Sequence, residues 1–150
     1  MHTIRNDADR DYLVGRVDKL SGDEKPLWGK MTCDQMLSHL VQASELPFVA
    51  SVPERSTFAF RTIVKPLVLY VLPMPKEVKV SAEFDQQQKG RTPQGAAADK
   101  EALIGLLSRV GTLSADHECL NHPMFGNLTP KQWAVLMYKH TDHHLKQFGV

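Results

Sequence analysis

The chain has 150 residues, enough for one domain with a substantial core and room for a pocket. Lysine plus arginine number 18 against 17 aspartate plus glutamate, a formal net charge of +1, so neither sign is in excess to attract a polyanion and nucleic acid is not an expected partner. The two cysteines, Cys33 and Cys119, form no CxxC pair, which argues against a disulfide framework or a cysteine zinc knuckle and fits a reduced, cytoplasmic setting; the start "MHTIRNDADR" also lacks the pattern of a secretory signal.

The first predicted helix covers residues 6 to 20, with Asn6 as N-cap, Leu13, Val17 and Leu20 on one face, and Ser21-Gly22 as the stop. The second runs from 33 to 46 behind Thr32, which Gln35 completes as a capping box, and turns Met36, Leu37, Leu40 and Ala43 inward. Trp28 anchors the loop before it. Residues 47 to 57 read as a loop. The stretch "FAFRTIVKPLVLYVLP", 58 to 73, is interrupted by Arg61, Lys65 and Pro66 and falls short of the roughly 20 apolar residues a bilayer crossing needs, so it is expected to be an irregular apolar helix, buried or lining a groove. Residues 73 to 95 look like an extended connection, with a short extended piece through 76 to 80 where Val78 and Val80 alternate with charges.

A third helix is predicted over 94 to 110, entered at Thr92-Pro93, with Leu103, Leu106, Leu107 and Val110 inward and Gly111 as its stop. Residues 111 to 128 form a crossing loop. Thr129 as N-cap, Pro130 at the first helical position and Gln132 three residues past the cap then open the last helix, anchored by Trp133 and Phe148. The order of elements points to an all-α bundle with one long connection in the middle.

The chemistry concentrates in histidines. On the last helix Trp133, Met137, His140, His144 and Gln147 follow at spacings of four, three, four and three, an inward-facing seam on which His140 and His144 stand about 6 Å apart along the axis. His143 lies about 60° round from His140, with Asp142 further round. The second helix repeats the pattern in Thr32, Met36, His39, Ala43 and Leu46. If the two seams face one another, His39 meets His140 and His144, and the small Ala43 leaves space beside them. Three neutral nitrogens leave a divalent ion its full charge and at least one open position.

A single inward histidine is more often a hydrogen-bonded core residue than a ligand, but an HxxxH pair joined by a third ring from another helix favours a metal, because adjacent buried imidazoles need a shared partner. Asp142, Glu45 or Gln147 are the candidates to orient a ligand through its distal nitrogen, and His143 has a supporting or surface role. His2, His117 and His122 are expected to cap turns. Cys33, in a first helical turn, would have a lowered pKa if exposed, but a buried thiol is the default there. No P-loop, GxGxxG, GxSxG or HExxH occurs.

The blocks "WGKMTCDQMLSHL" (28 to 40) and "HPMFGNLTPKQWAVLMYKHTDHHLKQFGV" (122 to 150) resemble the two signature blocks of the DinB-like metalloenzyme superfamily, in particular a small bacterial subfamily of unassigned function. His39 matches its first ligand, and His140 and His144 match its HxxxH, with His143 as the extra histidine. The resemblance covers both ends well and the middle poorly. It implies a four-helix bundle in up-down-down-up order with the long link between helices two and three. It implies a zinc or nickel ion in the three-histidine site, and many members are homodimers. It also implies transfer of a low-molecular-weight thiol such as bacillithiol, mycothiol or glutathione to an electrophile, an isomerisation with a thiol's help, or a related lyase or hydrolase reaction, with the thiol activated on the metal. No thiol-recognition motif is visible here. Two alternatives stay open: a non-catalytic module that binds a small ligand or docks a partner through 58 to 72, and a structural metal site with no open position.

Overall fold

A computed structural model describes residues 1 to 49, 55 to 76, 78 and 80 to 150. Among these residues the chain is helical and no strand occurs; the one extended pairing is an isolated bridge between His122 and Gly126. Part of the expected 47 to 57 loop, residues 50 to 54, lies outside the described residues, as do Glu77 and Lys79 of the short extended piece expected at 76 to 80.

Four α-helices form the body: α1 (Asp7–Asp18), α2 (Cys33–Glu45), α3 (Ala96–Gly111) and α4 (Pro130–Gln147). Their starts follow the local sequence. Asn6 accepts from the Asp9 backbone N–H, and Thr32 and Thr129 each form a reciprocal capping box, with Gln35 and Gln132, that satisfies two otherwise orphaned donors. Helix α3 begins two residues later than the Thr92-Pro93 entry suggests, behind Gly95 at φ +95°, and Gly111 is its last residue rather than the stop beyond it. The reason is tertiary: a Cβ on Gly111 would stand 2.4 Å from the Ile4 carbonyl oxygen, so the glycine admits the N-terminal segment against the helix.

Helix α2 packs on α3 and α4, and α1 packs on the same two, with no close backbone approach between α1 and α2. Between them lies one core of Leu13, Val17, Met36, Leu37, Leu40, Leu103, Leu107, Trp133, Met137 and Leu145, all nearly or fully buried. Leu106, expected inward, is only half-buried at its rim. Burying each of the large aliphatic side chains contributes about 1.5–3 kcal/mol.

The expected irregular helix at 58 to 72 consists of two π-helical turns, Phe60–Val64 and Leu67–Val71, on either side of Pro66. Proline cannot donate and its ring crowds the carbonyl four residues back, so widening the turn relieves both problems. Lys139 of α4 donates to the carbonyls of Val68 and Leu72 and ties the segment down. Of the two expected dispositions, buried or lining a groove, burial is not found: only Leu69 is buried, while Phe58 (82%) and Val71 (71%) are largely exposed. No described helix is long and apolar enough to cross a membrane.

The connection that follows is fastened to α2. Gln42 Nε2 donates to the Glu83 carbonyl and its Oε1 accepts from the Arg91 N–H; Gln35 Nε2 donates to the Gln86 carbonyl; Ser38 Oγ donates to the Arg91 carbonyl. The Arg91 guanidinium then reaches the fully buried Asp99 at 2.6 Å, linking α2, the connection and α3.

A buried three-histidine cluster

The helix pairing brings the two histidine seams together. On α2, His39 faces α4 because Met36, Leu40 and Ala43 turn that side of the helix into the core; on α4, the half-buried His140 and the buried His144 continue the seam from Trp133 and Met137. The Nε2 atom of His140 lies 3.2 Å from Nε2 of His39 and 3.2 Å from Nε2 of His144. Ring centroids are 4.8–5.1 Å apart and the planes meet at 73–76°, so the rings present edges to a common centre and do not stack.

This geometry fits a divalent ion. Two nitrogens held 2.0–2.1 Å from a tetrahedral centre are about 3.3 Å apart, close to both 3.2 Å separations. The ligand atoms of all three residues fall within 4.8 Å of one another. The donor set is three imidazoles with no carboxylate among them, which suits zinc, nickel or copper more than magnesium or calcium.

Electrostatics keep the rings in the ligating form. Burial comes first at each: it brings His39 down to about 4 and His144 to about 3, and holds His140 well below the usual histidine range, with the neighbouring imidazoles adding to the effect. His39 and His144 are each only 8% exposed. Each ring is therefore neutral near pH 7.

The surroundings differ from ring to ring. His144 Nδ1 lies 2.8 Å from Oε1 of Gln147, whose Nε2 donates to the Trp28 carbonyl at 2.6 Å. His39 Nδ1 is buried without a hydrogen-bond partner, although the Phe84 backbone nearby favours its protonated form. Of the three residues considered as ligand-orienting, Gln147 has that contact. Asp142 is instead paired with Arg16 and Lys146, each at 2.7 Å, and Glu45 makes no hydrogen bond to the three rings among the described residues. His143 sits beside the cluster, 5.1 Å from His144 and edge-on to Trp28 at 5.7 Å, and Lys76 Nζ lies over the Trp28 ring, 4.1 Å from its centroid.

The remaining candidates fall outside the site. His122 Nδ1 accepts from the backbone N–H groups of Met124 and Phe125, the turn-capping role expected of it. His2 pairs with Asp9, and His117 meets the edge of Phe48. Cys33 is buried; that burial, reinforced by the Glu24 carboxylate, pushes its thiol up to about 12, which removes it as a nucleophile. It lines a small cavity of about 310 Å³ with Gly22, Glu24 and Thr32, apart from the histidines.

What sequence reasoning missed is the fastening of the 81 to 91 segment over α2. Its signal was present in Gln35, Ser38 and Gln42, polar residues at spacings of three and four that line one face of the helix.

The fold and the cluster thus define an α-helical protein with a largely buried triad of neutral imidazoles that could hold a divalent ion. Residues 8–149 match the family described as protein of unknown function (DUF1569), and the chain belongs to that family. No curated protein and no solved structure matches it.

Proposed function

We propose that this chain is a metal-dependent enzyme in which His39, His140 and His144 hold a zinc or nickel ion, and that its reaction transfers a low-molecular-weight thiol to an electrophilic small molecule. The observation that carries the metal reading is the pair of 3.2 Å Nε2 separations within a largely buried, neutral cluster. Three neutral ligands leave the ion's charge intact, and a bound ion supplies Lewis acidity that lowers the pKa of a water or thiol at an open position. The protein's own part is to hold the rings neutral, aim their nitrogens and screen them from solvent. The thiol and the DinB-like up-down-down-up arrangement come from the resemblance of the two end blocks; the pairing of α2 and α4 across the site supports that arrangement.

The test is metal analysis of protein purified without a nickel column, followed by assay of the loaded protein with a panel of thiols and electrophiles. About one ion per chain, lost in His39→Ala and His140→Ala, is expected. Folded protein with no stoichiometric metal after zinc or nickel loading removes the enzyme reading.

One observation favours a second reading, a module that docks a partner or a second copy of the chain: the exposure of Phe58, Ile63, Tyr70 and Val71 along the π-helical segment. In that case Val71→Ser weakens association and His39→Ala leaves it unchanged.

A further inference from the structure

For three Nε2 atoms to meet one ion, each must offer a lone pair, and a neutral imidazole does so only when its proton sits on Nδ1. At His144 the hydrogen-bond network decides this without reference to any ion. The Trp28 carbonyl can only accept, so the Gln147 amide must turn its NH2 toward it, at 2.6 Å. Oε1 is then left facing His144 Nδ1 at 2.8 Å, and an acceptor in that place requires the proton on Nδ1.

The amide is not free to flip. Gln147 is 3% exposed, and its own carbonyl accepts from the Leu27 N–H at 2.7 Å, so residues 27 and 28 grip both its backbone and its side chain. The next residue, Gly29, has φ +80°, and a Cβ there would come within 2.7 Å of Gln147 Nε2. Glycine is needed both for the backbone and for the room.

We infer that Gln147 is a positioning residue: held by the Trp28 carbonyl at the Gly29 turn, it fixes His144 as the Nδ1–H tautomer and directs the Nε2 lone pair at His140 and His39. Its purpose rests on the metal reading proposed above; its geometry does not.

Two measurements on the full chain test it. Long-range proton–nitrogen correlation spectra of the metal-free protein report the tautomer of each ring. His144 is expected as Nδ1–H in the wild type and as a tautomer mixture in Gln147→Met, which keeps volume and removes both hydrogen bonds. Zinc affinity, read by competition with a chromophoric chelator, is expected to fall about 10–100-fold in Gln147→Met. A purely structural glutamine would lower the melting temperature and move neither readout. His144 found as Nε2–H in the wild type, or an unchanged tautomer in the variant, overturns the inference. If the wild type shows Nδ1–H but takes up no zinc, the metal reading fails and the positioning role stands. Should Gln147→Met not fold, the wild-type spectrum and Gly29→Ala, which displaces the amide from the far side, decide the matter.

Discussion

Lowering the pH from about 7.5 to about 5.5 distinguishes a buried, pre-formed triad from three independent histidines. A free imidazole with a pKa near 6.5 passes from roughly nine-tenths to roughly one-tenth neutral over that interval, so three such ligands would lose about a thousandfold in metal affinity to proton competition. In this protein burial places His39 at about 4 and His144 at about 3, with His140 also well below its usual value. A histidine whose folded pKa is depressed stays neutral until the pH falls through that lower value, so at pH ~5.5 each ring remains largely unprotonated and the expected loss is under about twofold. The same depression has a cost for the metal-free fold. Between about 6.5 and about 4 the unfolded chain takes up protons that the folded chain refuses, so stability is fully present above that window and declines as the pH falls through it. The assay is a zinc competition titration against a chelator calibrated at each pH, with far-UV circular dichroism confirming that the protein stays folded. A loss of a hundredfold or more in folded protein refutes the buried-triad account.

Three further outcomes are expected. Asp99→Ala leaves the Arg91 guanidinium without its 2.6 Å partner; because Arg91 retains 24% exposure the cost should sit near the low end for a broken buried pair, about 3 kcal/mol, or roughly 6–12 °C in melting temperature, and an unchanged melt would sink it. Gly111→Ala should destabilise by about 1–3 kcal/mol in urea unfolding, since its Cβ meets the Ile4 carbonyl oxygen, whereas Gly105→Ala, which meets nothing, should stabilise by about 0.5–1 kcal/mol; equal effects would contradict the close-approach argument. With Cys33 buried and pushed up to about 12, a disulfide reagent at pH ~8 should titrate at most one thiol in the native chain and two in denaturant, and rapid reaction of both in the native state would count against the placement of α2.

The helices were legible where local chemistry is self-sufficient. Thr32 with Gln35 and Thr129 with Gln132 each satisfy orphaned backbone donors within four residues, and those starts fall where expected. The end of α3 falls within one residue of expectation, but the contact of Gly111 with Ile4, more than a hundred residues away in the chain, was not legible. The π-helical turns were also hidden: the apolar run suggested burial, but the disposition of 58 to 72 depends on Pro66 and on Lys139, which reaches across from α4.

For the candidate site, the sequence by itself determined that His140 and His144 share one face of a helix and that His39 occupies the equivalent place in a second seam, because helical periodicity depends only on spacing. Whether those faces meet was a tertiary decision, made by the packing of α2 against α4 and by the segment pinned over Gln35, Ser38 and Gln42. The ring-to-ring distances, the depressed pKa values and the grip of Trp28 on Gln147 exist only once water is excluded and distant backbone atoms arrive within hydrogen-bonding reach. Spacing along a chain specifies direction from an axis; convergence on a point requires two axes to be fixed relative to each other, and only the folded core does that.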